Sequence, residues 1–177
     1  MVKSLGVQTS RFVQGDVVIP PVSRSDRMKY TAADLQPLDP IAHIRANPKM
    51  YTGHDIPNPM FIAHFISLDA LTLGASDVRI TRFDDWWIVC ADLDWLNAPC
   101  QCSASPRASF NRLLGFPELA ANSMRHEILA TAFAQCVVSL STTDRFVVCG
   151  DVHDDDSVWE RMLATNAMRS VALRMEG

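Results

Sequence analysis

The chain has 177 residues, with 16 Lys and Arg against 20 Asp and Glu, for a formal net charge of −4. Hydrophobic residues make up 48% and charged residues 20%, the balance of a globular domain with a real core rather than a disordered chain. The acidic excess argues against a broad, non-specific nucleic-acid surface, and no apolar run approaches the roughly 18 residues that span a bilayer.

Residues 1–37 read as an N-terminal arm or leading segment. Val17, Val18 and Ile19 favour a strand, Pro20 and Pro21 end it, and residues 23–27 form an exposed polar loop. The first 15 residues lack the apolar middle of a signal peptide. Five cysteines (Cys90, Cys100, Cys102, Cys136, Cys149) are an odd number in a chain too large to need staples. They point to free thiols in a reducing compartment, so a cytoplasmic location is expected.

The second segment, 38–177, starts with a helix. Asp39 caps it, Pro40 occupies its first turn, Ile41, Ala42 and Ile44 share a face, and Pro48 stops it near Asn47. A second helix begins at Pro59 and ends near Gly74. Phe61, Phe65 and Leu68 recur at helical spacing, as do Ile62, Ile66 and Asp69. Strands at 77–83 and 86–92 follow, joined by an Asp84-Asp85 turn. Residues 97–116 are rich in turn formers. A third helix starts at Glu118 or Ser123 and runs to about Gln135, with Ile128, Leu129, Ala132 and Phe133 in phase. Next come strands at 137–141 and 145–152 around a Thr142–Asp144 turn, and a solvated acidic stretch, His153–Asp156. Residues 158–176 read as a helix then a strand, or as two strands, with a final strand at 170–175. This order predicts an α+β fold: a two-layer sandwich of helices on a mixed, mostly antiparallel sheet.

Within residues 41–53, Ile44, Arg45, Pro48, Met50, Tyr51 and Gly53 form a spaced pattern. It resembles the opening of the ATPase domain of DNA gyrase B and topoisomerase IV, in the GHKL (Bergerat-fold) class, with Lys49 where that family has glycine. The element order agrees with the wider class, so the resemblance extends over about residues 38–175. It implies ATP and Mg²⁺ as ligands, with a glutamate general base and, four residues on, an asparagine that holds the metal. Here Phe65 falls on the glutamate and Asp69 on the asparagine; no Glu occurs between Met60 and Ser76, so no catalytic residue is assigned. Asp69 is the metal candidate through its carboxylate, or else a helix-edge residue facing solvent.

The resemblance places Asp92 on the family's adenine-binding aspartate, or leaves it as a turn carboxylate or helix cap. Asp94 and Leu96 replace both glycines that follow, and Trp95 with Leu96 adds bulk where a nucleotide would sit. Asn122, Arg125 and Glu127 fall on the phosphate-cradling lid glycines, and Gly115 is the only glycine between Gly74 and Gly150. Ser170 falls near the last adenine-pocket position. The cofactor candidates are therefore Asp92, Asp69, Asp94 and Ser170. Lysine occurs only at positions 3, 29 and 49, so there is no Gly-Lys-Ser/Thr phosphate loop. Cys100-x-Cys102 has no second pair at zinc-site spacing.

The resemblance thus implies a degenerate gyrase-B-like domain that does not hydrolyse ATP, with nucleotide and Mg²⁺ bound weakly or lost, acting as a binding or regulatory module. The alternative is a divergent ATPase with His64 or Asp94 as substitute base. A homodimer or a protein partner is expected, the family's arm exchange making residues 1–37 the dimer element. No nucleic acid and no membrane are expected. A chain ending at Gly177 has no room for the rest of a topoisomerase.

Overall fold

A proline and a side-chain cap open two of the helices, as the sequence indicates. The computed structural model describes residues 37–100 and 105–175; the expectations for residues 1–36 and for Cys102 lie outside them. Helix α1 (Pro40–Ala46) starts at Asp39, whose Oδ1 accepts from Ile41 N at 3.0 Å and Ala42 N at 3.1 Å. Pro48 ends α1 but opens a further short helix, α2 (Pro48–Thr52), closed by Gly53 at φ +76°. Helix α3 (Pro59–Thr72) is capped by Asn58 Oδ1 on Met60 N at 2.8 Å. Its buried face is Ile62, Ala63, Ile66, Asp69 and Ala70, while Phe61 lies at the surface.

Strands β1 (Val78–Phe83) and β2 (Trp86–Ala91) form a hairpin with the two-residue loop Asp84-Asp85, Asp84 sitting at φ +52°. The turn-rich segment holds one short helix, α4 (Pro106–Asn111). Helix α5 is shorter than its pattern suggests, Glu127–Phe133, because Arg125 and His126 are drawn into side-chain pairing before it starts. Strands β3 (Cys136–Ser141) and β4 (Arg145–Cys149) form the second hairpin, followed by α6 (Ser157–Ala164) and β5 (Arg169–Arg174).

The strand order is β1-β2-β5-β3-β4 and every pairing is antiparallel. The last strand in sequence is thus the centre of the sheet, paired through Ile88–Ala172 on one side and Val138–Ala172 on the other. The result is an α+β sandwich. Ile44, Ile62, Ile66, Ile128 and Leu129 form the core against Val89, Val137, Val171 and Leu173, and Val158, Trp159 and Met162 of α6 cover the other face over Ile88, Val138 and Ala172. Alternation along β5 sends successive side chains into the two cores.

Candidate functional site

Helix α3 carries a single charged residue, Asp69, and its burial is the most unusual feature of the described residues. Asp69 lies on the Ile62–Ile66 stripe that packs inward, so the helix aims a carboxylate at the chain just before α5. That carboxylate is fully buried and fully engaged. Its Oδ1 lies 2.7 Å from His126 Nδ1, its Oδ2 accepts from His126 N at 2.6 Å, and Arg125 Nε lies 3.6 Å from Oδ2. Arg125 in turn reaches Glu127 through Nη2 at 2.5 Å and Nε at 3.2 Å, and Trp95 Nε1 donates to Glu127 Oε1 at 3.0 Å. Arg125, Glu127 and Trp95 are all buried.

The cluster satisfies charges that would otherwise be costly in the core, where an unpaired ion carries a desolvation penalty of several kcal/mol. Burial pushes the Asp69 carboxyl up from 3.8 to about 6, against the lowering effect of the His126 hydrogen bond; the nearby Glu127 charge adds to the rise. Phe65, which the expected resemblance set at a general-base position, stacks its ring on His126 at 5.0 Å between centroids and 18° between planes. The arrangement has no carboxylate at that position, and Asp69 presents no oxygen to solvent. A divalent cation needs an open coordination face, so these residues do not fit Mg²⁺ in this geometry. Among the described residues no group of three or more His, Cys, Asp or Glu side chains could hold a metal ion.

Arg169, at the start of β5, organises a second charged cluster. Its buried guanidinium takes Asp94 bidentately, Nε–Oδ1 at 2.8 Å and Nη2–Oδ2 at 2.9 Å, and meets Asp144 Oδ1 through Nη1 at 2.6 Å. Nη1 also donates to Ser139 Oγ at 3.0 Å. Partial burial pushes the Asp144 carboxyl up, but the hydrogen bonds from Arg169 and Ser141 outweigh this and hold it below its ordinary range. Asp94 is therefore one jaw of a clamp joining the turn after β2, the β3–β4 turn and β5.

No protein-family model matches this chain. No curated protein matches it in sequence.

The other candidates lie apart. Asp92 is exposed at the end of β2, where its Oδ1 accepts from Ser76 N at 2.9 Å, the turn-carboxylate role. Ser170 is buried in β5 with its hydroxyl 3.3 Å from Thr165 Oγ1. No hydrogen bond or ion pair joins any two of Asp69, Asp92, Asp94 and Ser170. Arg45, part of the gyrase-like pattern, donates to the carbonyls of Ala132 at 2.6 Å and Thr131 at 3.2 Å. It thereby closes the carbonyl end of α5, a structural role. The resemblance places Arg125 and Glu127 on lid glycines and gives His126, between them, no glycine position. Their signal was the run Arg-His-Glu leading into an apolar helix, where charges must find partners if the chain buries them. Arg169, ahead of the apolar Val171-Ala172-Leu173, carried the same signal.

Proposed function

We propose that this chain is a binding or regulatory module built on a gyrase-B-like domain, without ATP hydrolysis. The observation that carries the reading is Asp69. The one acid on the helix that would hold metal and base is closed into an internal network with His126, Arg125, Glu127 and Trp95, beside a phenyl ring at the base position. The residue pattern at 41–53 supports the family part of the proposal, and the replacement of the lid glycines by Asn122, Arg125 and Glu127 supports the loss of phosphate binding. Loss of a general base typically lowers rate by about 10²–10⁴. In this reading the module works through a protein partner or a second copy of itself in a cytoplasmic setting, which the free thiols of Cys90, Cys136 and Cys149 suit.

Calorimetric titration of ATP and ADP with Mg²⁺, run beside a phosphate-release assay, tests this. The expected result is no phosphate release above the protein-free rate, and nucleotide heat that is absent or unchanged in Asp92→Asn. Hydrolysis that disappears in Asp94→Asn would overturn the proposal in favour of the divergent ATPase.

A further inference from the structure

Between the edge strand β1, its neighbour β2 and helix α6 lies an open cavity of about 390 Å³. Its apolar surface comes from Phe83 and Ile88, which pack on the α6 side of the sheet, opposite α3. Two arginines line it, Arg82 of β1 and Arg161 of α6, and no acidic residue does. Small-molecule sites measure roughly 300–1,000 Å³ and combine an apolar body with a few placed polar groups. This cavity has that size and that make-up.

Its two cations are unusual in this molecule for having no acid. Arg79 pairs with Asp77, Arg145 with Asp154, Arg169 with Asp94 and Asp144, and Arg174 with Asp85. Among the described residues no carboxylate stands within ion-pair distance of Arg82 or Arg161. Arg82 donates Nε to the Asp84 carbonyl at 3.0 Å. Arg161 holds its guanidinium 4.4 Å from the Phe83 ring centroid. A ring face engages the plane of a guanidinium and leaves its N–H edge for a ligand.

The opposing charges are accounted for. Asp84 and Glu160, beside Phe83 and Arg161 in sequence, are exposed and outside the lining. The last turn of α6 borders the cavity and carries the partial negative charge of a helix C-terminus, but its carbonyls are taken. Thr165 Oγ1 donates to Met162 O at 2.7 Å and Asn166 N to Leu163 O at 3.1 Å, while Arg79 Nη2 donates to Thr165 O at 3.2 Å.

We infer that this cavity binds a small phosphate monoester, with the dianion held by Arg161 and Arg82 and the organic group against Phe83 and Ile88. Guanidinium N–H pairs match phosphate oxygens in geometry, and two of them match its double charge. The apolar floor favours an ester over the bare ion. The site uses none of Asp69, Asp92 and Asp94, so it stands or falls apart from the nucleotide question.

The test is calorimetric titration of phenyl phosphate into the full chain, beside phenol and inorganic phosphate. One equivalent of phenyl phosphate is expected to bind, more tightly than inorganic phosphate, with no phenol heat at the same concentrations. Arg161→Gln should weaken phenyl phosphate about tenfold and Arg82→Gln should weaken it too, while Arg145→Gln, outside the cavity, stays within twofold. Urea midpoints close to that of the parent verify folding, and Arg161→Lys replaces Arg161→Gln if the latter does not fold. No saturable phenyl phosphate binding, or binding indifferent to the Arg161 variant, would overturn the proposal. So would an equal loss in Arg145→Gln, which reports general surface charge, or inorganic phosphate binding as tightly as the ester.

Discussion

Asp69 and His126 stand 57 positions apart in sequence and hold each other twice, once through the imidazole Nδ1 at 2.7 Å and once through the backbone N–H at 2.6 Å. The pair ties the buried side of α3 to the start of α5. Because the backbone takes part, replacing the imidazole removes only half of the connection, whereas replacing the carboxylate removes all of it.

Asp69→Ala is accordingly expected to cost about 3–5 kcal/mol, since it leaves Arg125 and the His126 amide in the core without this acceptor. Asp69→Asn keeps an oxygen for one donor and should cost clearly less. Urea unfolding of both variants checks this; equal losses would mean that the charge and geometry of the carboxylate do not matter.

The acid dependence of stability follows from the same residue. Its folded carboxyl titrates at about 6 against an ordinary 3.8, so between these values the folded state binds the proton more tightly than the unfolded chain. Its contribution is fully present below the lower value and is lost as pH rises through about 6. The stability difference between the parent and Asp69→Asn should therefore move toward the variant as pH climbs from 4 to 6.5. A difference that stays flat, or moves the other way, in urea titrations over that range contradicts the assignment.

Two glycines at positive φ allow a controlled comparison. Gly150 sits at φ +83°, and a Cβ there would meet the Gln135 carbonyl and lie 2.6 Å from Cys136 Sγ. Gly74 sits at φ +103° with nothing within 4 Å of that position. Gly74→Ala should cost roughly 1–2 kcal/mol from backbone strain alone. Gly150→Ala should cost clearly more, because overlap with a backbone carbonyl adds to the strain. Calorimetric melting of the two variants decides it, and equal shifts would show that the hairpin end relaxes freely.

Thr131, in α5, is buried with a hydroxyl that finds no hydrogen-bond partner among the described residues. Thr131→Val removes an unsatisfied polar group at nearly constant shape, so it should be neutral or stabilising by up to about 1 kcal/mol. A loss greater than about 1 kcal/mol in urea unfolding would reveal a partner for the hydroxyl.

Much of the fold is legible in local chemistry. Asp39-Pro40 and Pro59 set helix starts, the alternation of Val78 and Ile80 with Arg79 and Thr81 marks a strand, and Asp84-Asp85 marks a hairpin. These depend on backbone geometry and period, which act over a few residues and leave their trace in sequence order. Helix α2 was missed because Pro48, read as a stop, is equally a first-turn residue, and α4 because its six residues are too few for a periodic signal.

The sequence by itself determined the two hairpins, the final strand and the helices that start at Pro40 and Pro59, the acidic balance, and the absence of glycine at the positions the gyrase-like pattern would use; it left open whether the residues before the final strand form the helix α6 or another strand. Tertiary structure alone decided where the charges go. Asp69 and Arg169 become buried only because β5, the last strand, inserts between β2 and β3 and because α3 packs against α5. Strand order and ion-pair partners are long-range choices, made by the joint burial of apolar faces, and no local periodicity encodes them. That packing made an internal ionic network out of the carboxylate on α3, and left the outer side of the same helix facing an open cavity beside Ile80 and Trp87.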